Sequence, residues 1–262
     1  VTASIQPMKS AEDKGIHVWQ TETCDDKTRF ETWDDAIKWA ENYQNYMVRA
    51  NTSAIVWWAG ARECSTTGEN LIQTIGWPIS RSFYRVERYY SIGQFSRYIR
   101  PGDTIIGSDQ EGKTLAAYDV DGDKAIIVAI NTSSSDQNWE FDLSGFEEMG
   151  SKVTAIRTSG DLKTGEHWKD VTKSDNIVVD ADEQCFTATM KGNSITTYIV
   201  EGVNGIKDTS DDNTTENPEV SQITIAKDQV TGSAPWNNGT TDVASNVVDN
   251  NYGTFFDGVS SG

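Results

Sequence analysis

In two segments of the sequence, an apolar run ends in side chains that could take part in catalysis or binding. GIHVWQTETCDD (15–26) is typical of a strand that ends in Glu22 and passes at once into a polar loop. TSAIVWWAG (52–60) is typical of a second strand, which ends in the pair Trp57-Trp58. An indole beside a carboxylate suits a sugar site, because the ring stacks on the C–H face of a pyranose while carboxylates act on the glycosidic bond.

The alternation of a strand gives these residues an expected direction. It puts the even-numbered residues of the first strand, up to Glu22, on one face. In a parallel α/β barrel this face lines the interior, and Glu22 lies at the carboxyl-terminal rim, where catalytic groups gather. Trp19 then packs against the outer helices, as does His17 on the same face. Trp57 and Trp58 point to opposite faces, so one of them can enter the cavity and the other is a core residue.

The first zone, residues 1–100, alternates predicted strands and helices. TWDDAIKWAENYQNYMVRA (32–50) is predicted as a helix with Thr32 as its N-cap. SFYRVERYYSIGQFSRYI (82–99) is predicted as a second helix, stopped by Pro101-Gly102. The order strand–helix–strand–helix favours parallel strands joined by right-handed crossovers.

The remaining zones are β-rich or polar. Residues 101–203 contain short β-like runs with turns between them, including the hairpin signal Asp121-Gly122, and predict a β-sandwich. Residues 204–220 are expected to be an acidic linker. Residues 221–262 begin a further β-like module that is too short to bury a core of its own. We expect the chain to be cut at both ends.

Three motifs in order along the chain resemble glycoside hydrolase family 30. They are VWQTE on one strand, VWW on the next, and YSIGQFSRYIRPG leading into the β-rich zone. The resemblance implies a (β/α)8 barrel with a side β-domain, and retaining hydrolysis by two glutamates without a cofactor. The family's nucleophile ends its seventh strand, which corresponds to Glu22. The tryptophan after the following strand corresponds to Trp58, as a floor for the sugar.

One part of the family's machinery has no counterpart in this chain. The family carries its acid/base glutamate on the fourth barrel strand, whereas retaining chemistry needs two carboxyls about 5–5.5 Å apart. Glu63 and Glu69 follow the second strand and are interpreted as rim or solvent residues. We therefore expect the first six strands on an upstream segment, so that the missing N-terminal part of the barrel is a partner of this chain.

The substrate is signalled by a single arginine and stays open at this point. Family members that cleave glucuronoxylan resemble this chain in an arginine soon after the tryptophan, which corresponds to Arg62. The tyrosine expected two residues later is Cys64 here. Other members act on β-1,6-galactan, β-xylosides or β-glucosides, and Arg62 in an ion pair with a nearby acid is an equal alternative. Asp25 is a further candidate contact at or behind the substrate.

The C-terminal segment SNVVDNNYGTFFDG (245–258) resembles part of the discoidin-like (F5/8 type C) carbohydrate-binding modules. In that family such a loop surrounds a structural calcium ion, which implies Asp249 and Thr254 as ligands, and oxygen-rich loops suit calcium. A plain turn at 249–253 is an equal alternative. Trp236 is a candidate sugar platform.

Composition limits the partners. The formal net charge is −18 at pH 7, which argues against nucleic acid and anionic membranes and suits neutral or weakly charged ligands. No apolar run is long enough to span a membrane. The three cysteines are too few for a disulfide scaffold, and whether Cys24 pairs with Cys64 depends on their distance.

The predicted fold class is α/β followed by all-β: a remnant of a (β/α)8 barrel packed with a β-sandwich, then a truncated β-sandwich module. The leading functional hypothesis is a secreted retaining β-glycosidase acting on a polysaccharide such as xylan, glucuronoxylan or β-1,6-galactan. The alternatives are a non-catalytic carbohydrate-binding or adhesion protein and a degenerate enzyme kept as a scaffold.

Overall fold

The computed structural model describes residues 5–25, 32–63, 68–76, 79–80, 82–107 and 112–207. These residues belong to one compact unit, Val1–Asp208. The predicted module at 221–262 lies outside the described residues, as do its candidate calcium ligands Asp249 and Thr254.

The first part of the chain mixes helices with short strands. In chain order they are α1 (Lys9–Glu12), β1 (Val18–Thr23), α2 (Trp33–Arg49), β2 (Thr52–Trp57), β3 (Ala61–Arg62), β4 (Ile72–Ile75), β5 (Ser82–Arg85) and α3 (Glu87–Ser96). Strands β1 and β2 form a parallel pair, as the strand–helix–strand order predicts. Strands β3, β4 and β5 form a separate three-stranded sheet.

The second part consists of strands. They are β6 (Thr104–Ile106), β7 (Thr114–Asp119), β8 (Lys124–Asn131), β9 (Gln137–Asp142), β10 (Phe146–Glu148), β11 (Val153–Ser159), β12 (Glu166–Asp170), β13 (Val178–Asp180), β14 (Cys185–Met190), β15 (Ser194–Glu201) and β16 (Asn204–Ile206). A six-stranded antiparallel sheet has the order β12-β11-β15-β8-β7-β6, and a three-stranded antiparallel sheet has the order β13-β14-β9. Strand β16 pairs with β10 and lies in the first residues of the predicted linker.

Local sequence signals explain the helix boundaries. Helix α2 begins after Thr32, whose side chain accepts a hydrogen bond from the backbone N–H of Asp35 at 3.4 Å. The prediction of one helix over 82–99 is wrong at its start, because residues 82–85 form β5 and pair with β4. Helix α3 begins only at Glu87. The competing β4–β5 ladder therefore decides the conformation of this segment.

The six-stranded sheet is buried on both of its faces. On one face, Ile127 of β8 and Tyr198 of β15 belong to a core shared with the three-stranded sheet. On the other face, Val128 of β8 and Ile195 of β15 belong to a core shared with α2 and α3. This double burial explains the continuous apolar run of β8, since a strand covered on both sides does not alternate with polar residues.

The GQFSRYIRPG motif joins α3 to this sheet. Gln94 is fully buried, and its side-chain Nε2 donates to Thr158 Oγ1 of β11 at 2.7 Å. Its Oε1 accepts a hydrogen bond from Thr197 Oγ1 of β15 at 2.6 Å. The motif thus has a structural purpose, which is to satisfy buried polar groups where the helix meets two strands. Within the described part of the chain, no helix is long and apolar enough to cross a membrane.

Candidate active site

The parallel pairing of β1 and β2 brings the two leading candidates to the same edge. Thr23 pairs with Trp57, and the ladder continues with the backbone N–H of Trp58 donating to the carbonyl of Thr23 at 2.9 Å. Glu22 and Trp58 therefore lie at the carboxyl ends of adjacent strands, whose backbones are about 4.8 Å apart. Both residues are exposed at this edge, Trp58 by 48%.

A register shift decides which residues face the helices. Gln20 pairs with Ile55 and Thr23 pairs with Trp57, so three steps along β1 match two steps along β2. One extra residue is inserted in β1 near its end, as in a β-bulge. Thr23 consequently shares the helix-facing side with Trp57 and is buried. Glu22, as its neighbour, projects to the opposite side, which we call the open side.

The expected direction of Trp19 is wrong. Trp19 pairs with Ala54, which by alternation points away from the helix-facing Ile55. Trp19 therefore lies on the open side with Glu22 and is 64% exposed. The cause is the two register shifts in the β1–β2 pair, which a simple period of two does not reveal. His17 is also exposed, and its Nδ1 lies 3.0 Å from Ser53 Oγ.

Trp57, one of the two candidates for the sugar contact, is half-buried and packs on the helix-facing side, which corrects its place as a substrate contact. Its ring meets Trp39 of α2 edge-to-face, with ring centroids 4.8 Å apart. Its Nε1 donates to the carbonyl of Glu69 at 2.6 Å, and the Arg88 guanidinium lies 5.5 Å from its ring centroid. With its ring packed against Trp39 and Arg88 and its N–H engaged, the indole of Trp57 faces the helices and not the open side. Trp58 is the tryptophan on the open side.

Asp25 is held by an arginine behind the site. Its Oδ2 lies 3.6 Å from Arg88 Nη2. Arg88 is 2% exposed and also contacts Asp35 Oδ2 through Nε at 2.5 Å, while its Nη1 donates to the carbonyl of Gly68. One buried guanidinium thus connects the loop after β1, the first turn of α2 and the loop before β4. Asp25 is thus tied to this buried arginine, and its role as a contact at or behind the substrate stays a prediction.

The electrostatics of this cluster are dominated by burial. Burial raises the pKa of the Asp35 carboxyl above its usual value, although the charge of Arg88 and its hydrogen bond act in the opposite direction. The ion pair therefore only partly offsets the loss of hydration. Arg88 and Asp35 form a rigid support whose integrity depends on both members being present.

Arg62 forms an ion pair at the edge of the small sheet. Its Nη1 lies 2.9 Å from Glu69 Oε2, which makes an ion pair. The geometry of this pair does not meet that of a hydrogen bond. The Arg62 side chain is 46% exposed and the Glu69 side chain only 15%. Glu69 is thus a half-buried counter-ion and not the solvent residue that its loop position predicts. Glu63 is anchored as well, since its Oε1 accepts a hydrogen bond from the backbone N–H of Gly76 at 3.2 Å.

Three of the candidate residues lie outside the described ranges: Cys64, Asp249 and Thr254. Cys64 lies outside the described residues, so the pairing with Cys24 that the sequence leaves open lies outside them as well. The calcium site at Asp249 and Thr254 stays a prediction for the same reason. Within the described ranges, no group of three or more His, Cys, Asp or Glu side chains is arranged to hold a metal ion.

Sequence reasoning missed Arg88 as an organiser of the site. A recognisable signal was present, because Arg88, Ile92 and Phe95 follow the spacing of one helix face. A charged residue in an apolar stripe predicts a buried partner of opposite charge. The partners come from segments more than 50 residues earlier in the chain, and only the tertiary structure identifies them.

Comparisons with known proteins place this geometry in context. No protein-family model matches the chain. Glucuronoxylanase XynC of Bacillus subtilis (strain 168) is 26% identical over 200 residues, which cover 74% of this chain and 42% of that protein. The glycoside hydrolase family 30 subfamily 8 xylanase Xyn30A of Clostridium acetobutylicum superposes with a TM-score of 0.59 at 20% identity, over 75% of this chain and 46% of that one.

A second solved structure agrees. The catalytic domain of glycoside hydrolase family 30 xylanase C from Talaromyces cellulolyticus gives a TM-score of 0.58 at 22% identity, over 75% of this chain and 42% of that one. The chain is thus homologous to, and folds like, family 30 xylanases over most of its length, and it spans less than half the length of each. The resemblance inferred from the three motifs is confirmed to this extent.

Proposed function

We propose that the protein containing this chain is a retaining glycoside hydrolase that acts on xylan. The observation that carries the proposal is the juxtaposition of Glu22 and Trp58 on the open side of a parallel strand pair, in a chain homologous to a glucuronoxylanase. In this proposal the β1–β2 pair with α2 and α3 is the last part of a (β/α)8 barrel. The two antiparallel sheets are its β-sandwich side domain.

Glu22 is the proposed nucleophile. Its carboxylate attacks the anomeric carbon while the bond from that carbon to the glycosidic oxygen breaks, and the departing oxygen takes a proton from a second carboxylic acid. Water then attacks the anomeric carbon from the face that the departing oxygen left, opposite the ester, and the bond from that carbon to the Glu22 oxygen breaks. The second group, now a carboxylate, removes the proton of that water. We propose that this second group comes from the earlier barrel strands, on a segment preceding this chain.

Trp58 is the proposed platform for the sugar at the cleavage point. It lies on the same side of the sheet as Glu22, and its half-exposed ring offers an apolar surface to the C–H face of a pyranose. Arg62 is the proposed contact for a glucuronate side group. Glu69 pairs with Nη1 of the Arg62 guanidinium. The side chain is still 46% exposed, so its other N–H groups can donate to a carboxylate from one plane. We place this activity outside the cell, because a polymeric substrate does not enter it.

The proposal is tested by replacing Glu22 with glutamine in the complete protein. Glu22→Gln keeps the size and polarity of the side chain but removes the nucleophile, so turnover of glucuronoxylan is expected to fall by several orders of magnitude with the thermal midpoint unchanged. Glu183→Gln, an exposed glutamate in the β-rich part, is the matched control and is expected to keep full activity. A Glu22→Gln protein that releases reducing sugar at the normal rate would falsify the proposal.

For the C-terminal residues 221–262 we propose the start of a discoidin-like carbohydrate-binding module, with Asp249 and Thr254 as calcium ligands. The support is the sequence of the loop SNVVDNNYGTFFDG alone. In the complete protein, calcium is expected to raise the melting temperature of one transition, and Asp249→Ala is expected to remove that effect. A melting profile that calcium leaves unchanged in both proteins counts against the site.

A further inference from the structure

A cleft of about 470 Å³ opens between β9 and strands β7 and β8 of the six-stranded sheet. Three residues form its apolar interior: Ala116, Ile127 and Phe141. Trp139 and the exposed Gln137 of β9 also line it. We call it the β9 cleft. Its volume lies within the range of small-ligand pockets, about 300–1,000 Å³.

The cleft exists because β9 is an edge strand. In the three-stranded sheet β9 pairs with β14 on one side, and among the described residues no strand pairs with its other side. Alternation points Gln137, Trp139 and Phe141 toward the six-stranded sheet. Phe141 is buried and stacks on Phe186 of β14, with ring centroids 4.6 Å apart, which closes the inner end.

Trp139 is held in place instead of being loosely packed. Its Nε1 donates to Gln137 Oε1 at 3.2 Å, which ties the ring to a second side chain of the cleft. Its other flank meets Phe141, with centroids 6.2 Å apart. The indole is half-buried, so part of its surface is available to a ligand. A ring fixed in advance loses little conformational entropy when it binds.

These features match a carbohydrate with an apolar ring face and hydroxyl groups at its edge. The indole suits the C–H face of a pyranose, and the amide of Gln137 suits its hydroxyls. The charged residues that line the cleft, Lys113, Glu140 and Asp142, carry a net negative charge, which disfavours a polyanionic ligand. A neutral, unsubstituted stretch of polysaccharide is therefore favoured over one rich in glucuronate.

We propose that the β9 cleft binds an unsubstituted stretch of xylan and holds the polymer on the protein independently of the Glu22 edge. The choice of xylan rests on the proposed function, whereas the cleft and its platform rest on the geometry of β7, β8 and β9. The cleft lies entirely within this chain, so the proposal is testable on the chain itself.

The test is isothermal titration of the full chain with xylohexaose. Trp139→Ala is expected to raise the dissociation constant about tenfold or more, and Trp139→Phe by less, because a smaller aromatic face remains. Asn138→Ala is the matched control, since its side chain points to the opposite face of β9, and it is expected to bind as the unchanged chain does. Gln137→Ala, an exposed position, provides a second probe if Trp139→Ala unfolds, and is expected to weaken binding several-fold.

Two results would overturn the proposal: undetectable binding of xylohexaose to the unchanged chain, or equal affinities for Trp139→Ala and the unchanged chain. Equally tight binding of cellohexaose would overturn the assignment to xylan. Trp58→Ala separates this site from the proposed catalytic edge. If affinity depends on Trp58 and not on Trp139, the cleft proposal fails and the proposed function stands. If Trp139→Ala removes binding while Glu22→Gln leaves turnover unchanged, the proposed function fails and the cleft stands.

Discussion

The indole ring of Trp168 on β12 lies directly against the backbone of Gly93 in the middle of α3, leaving no space for a β-carbon at that glycine. The Nε1 of Trp168 donates to the carbonyl of Tyr90 at 2.9 Å. The guanidinium of Arg97 covers the ring at 4.0 Å from its centroid. The glycine of the GQFSRYIRPG motif is therefore required by close packing between a helix and a strand.

Replacement of this glycine tests the packing. Gly93→Ala is expected to destabilise the chain by about 1–3 kcal/mol, because the added methyl group forces Trp168 or α3 to move. Urea unfolding followed by tryptophan fluorescence measures the loss. Gly145→Ala is the control, since a β-carbon there meets no atom within 4 Å, and its effect is expected to stay within about 0.5 kcal/mol. Equal stability of the Gly93→Ala and Gly145→Ala proteins contradicts the required close contact.

Arg88 is expected to be among the most sensitive positions behind the candidate site. Arg88→Met removes the buried charge and leaves Asp35, with a side chain only 15% exposed, without its strong partner. The expected loss of unfolding free energy is about 3–5 kcal/mol. Arg62→Met breaks a more exposed ion pair and is expected to cost at most about 1 kcal/mol. Denaturant titrations of both variants at pH 7 compare the two, and similar losses would argue against Arg88 as the organiser.

The two adjacent tryptophans are expected to separate stability from substrate binding. Trp57→Ala removes a ring packed against Trp39 and Arg88 and is expected to cost about 3–5 kcal/mol. Trp58→Ala lies on the open side and is expected to change stability by less than about 1 kcal/mol. In the complete protein Trp58→Ala is expected to lower kcat/KM for xylan about tenfold or more. If Trp58→Ala costs more stability than Trp57→Ala, the assignment of the two residues to the faces of β2 is wrong.

Glu166 is expected to make the stability of the β-rich part depend on acid pH. Its carboxylate accepts hydrogen bonds from Arg157 Nε at 2.7 Å and Ser159 Oγ at 2.9 Å, with Lys191 Nζ at 3.1 Å. These contacts, Arg157 first, hold the pKa of Glu166 far below its usual value of 4.5. The folded state therefore binds fewer protons than the unfolded state, and this contribution is complete above pH 4.5 and is lost as the pH falls below it.

The measurement compares Glu166→Gln with the unchanged chain at two pH values. The difference in unfolding free energy is expected to be large at pH 7 and smaller at pH 3, since the carboxylate of the unchanged chain has lost part of its advantage at pH 3. Burial is the largest cause of the raised pKa of Asp175, whose opposite dependence is present in both proteins, and the charge of Glu166 adds a smaller rise that Glu166→Gln removes. Glu183→Gln, an exposed change, is expected to give the same small difference at both values. A pH-independent effect of Glu166→Gln contradicts the assigned pKa shift.

Much of the secondary structure could be predicted from local patterns. The Thr32 cap and the apolar spacing that follows it predict α2, and the Asp121-Gly122 turn predicts the β7–β8 hairpin, which pairs Asp119 with Lys124. The sequence of strand β12, EHWKD, does not predict a strand, because it is polar and charged with a single large apolar residue. Its place is set by pairing with β11 and by the Trp168 contact, both of which are tertiary.

The candidate site was only partly predictable for a similar reason. The position of Glu22 at the end of a strand follows from composition, whereas the direction of Trp19 depends on the register between two strands. The role of Asp25 depends on Arg88, which lies 63 residues later in the sequence. Spacing along one strand carries no information on either relation.

The double burial of the six-stranded sheet has a consequence for anyone who wishes to divide the chain. One face of the six-stranded sheet packs against α2 and α3, and its opposite face packs against the three-stranded sheet. A cut near residue 100 would expose an apolar sheet face on one fragment and two apolar helices on the other. Grafting the strand pair with Glu22 and Trp58 onto another scaffold therefore means transplanting the β-rich half with it, as a single exchangeable cassette.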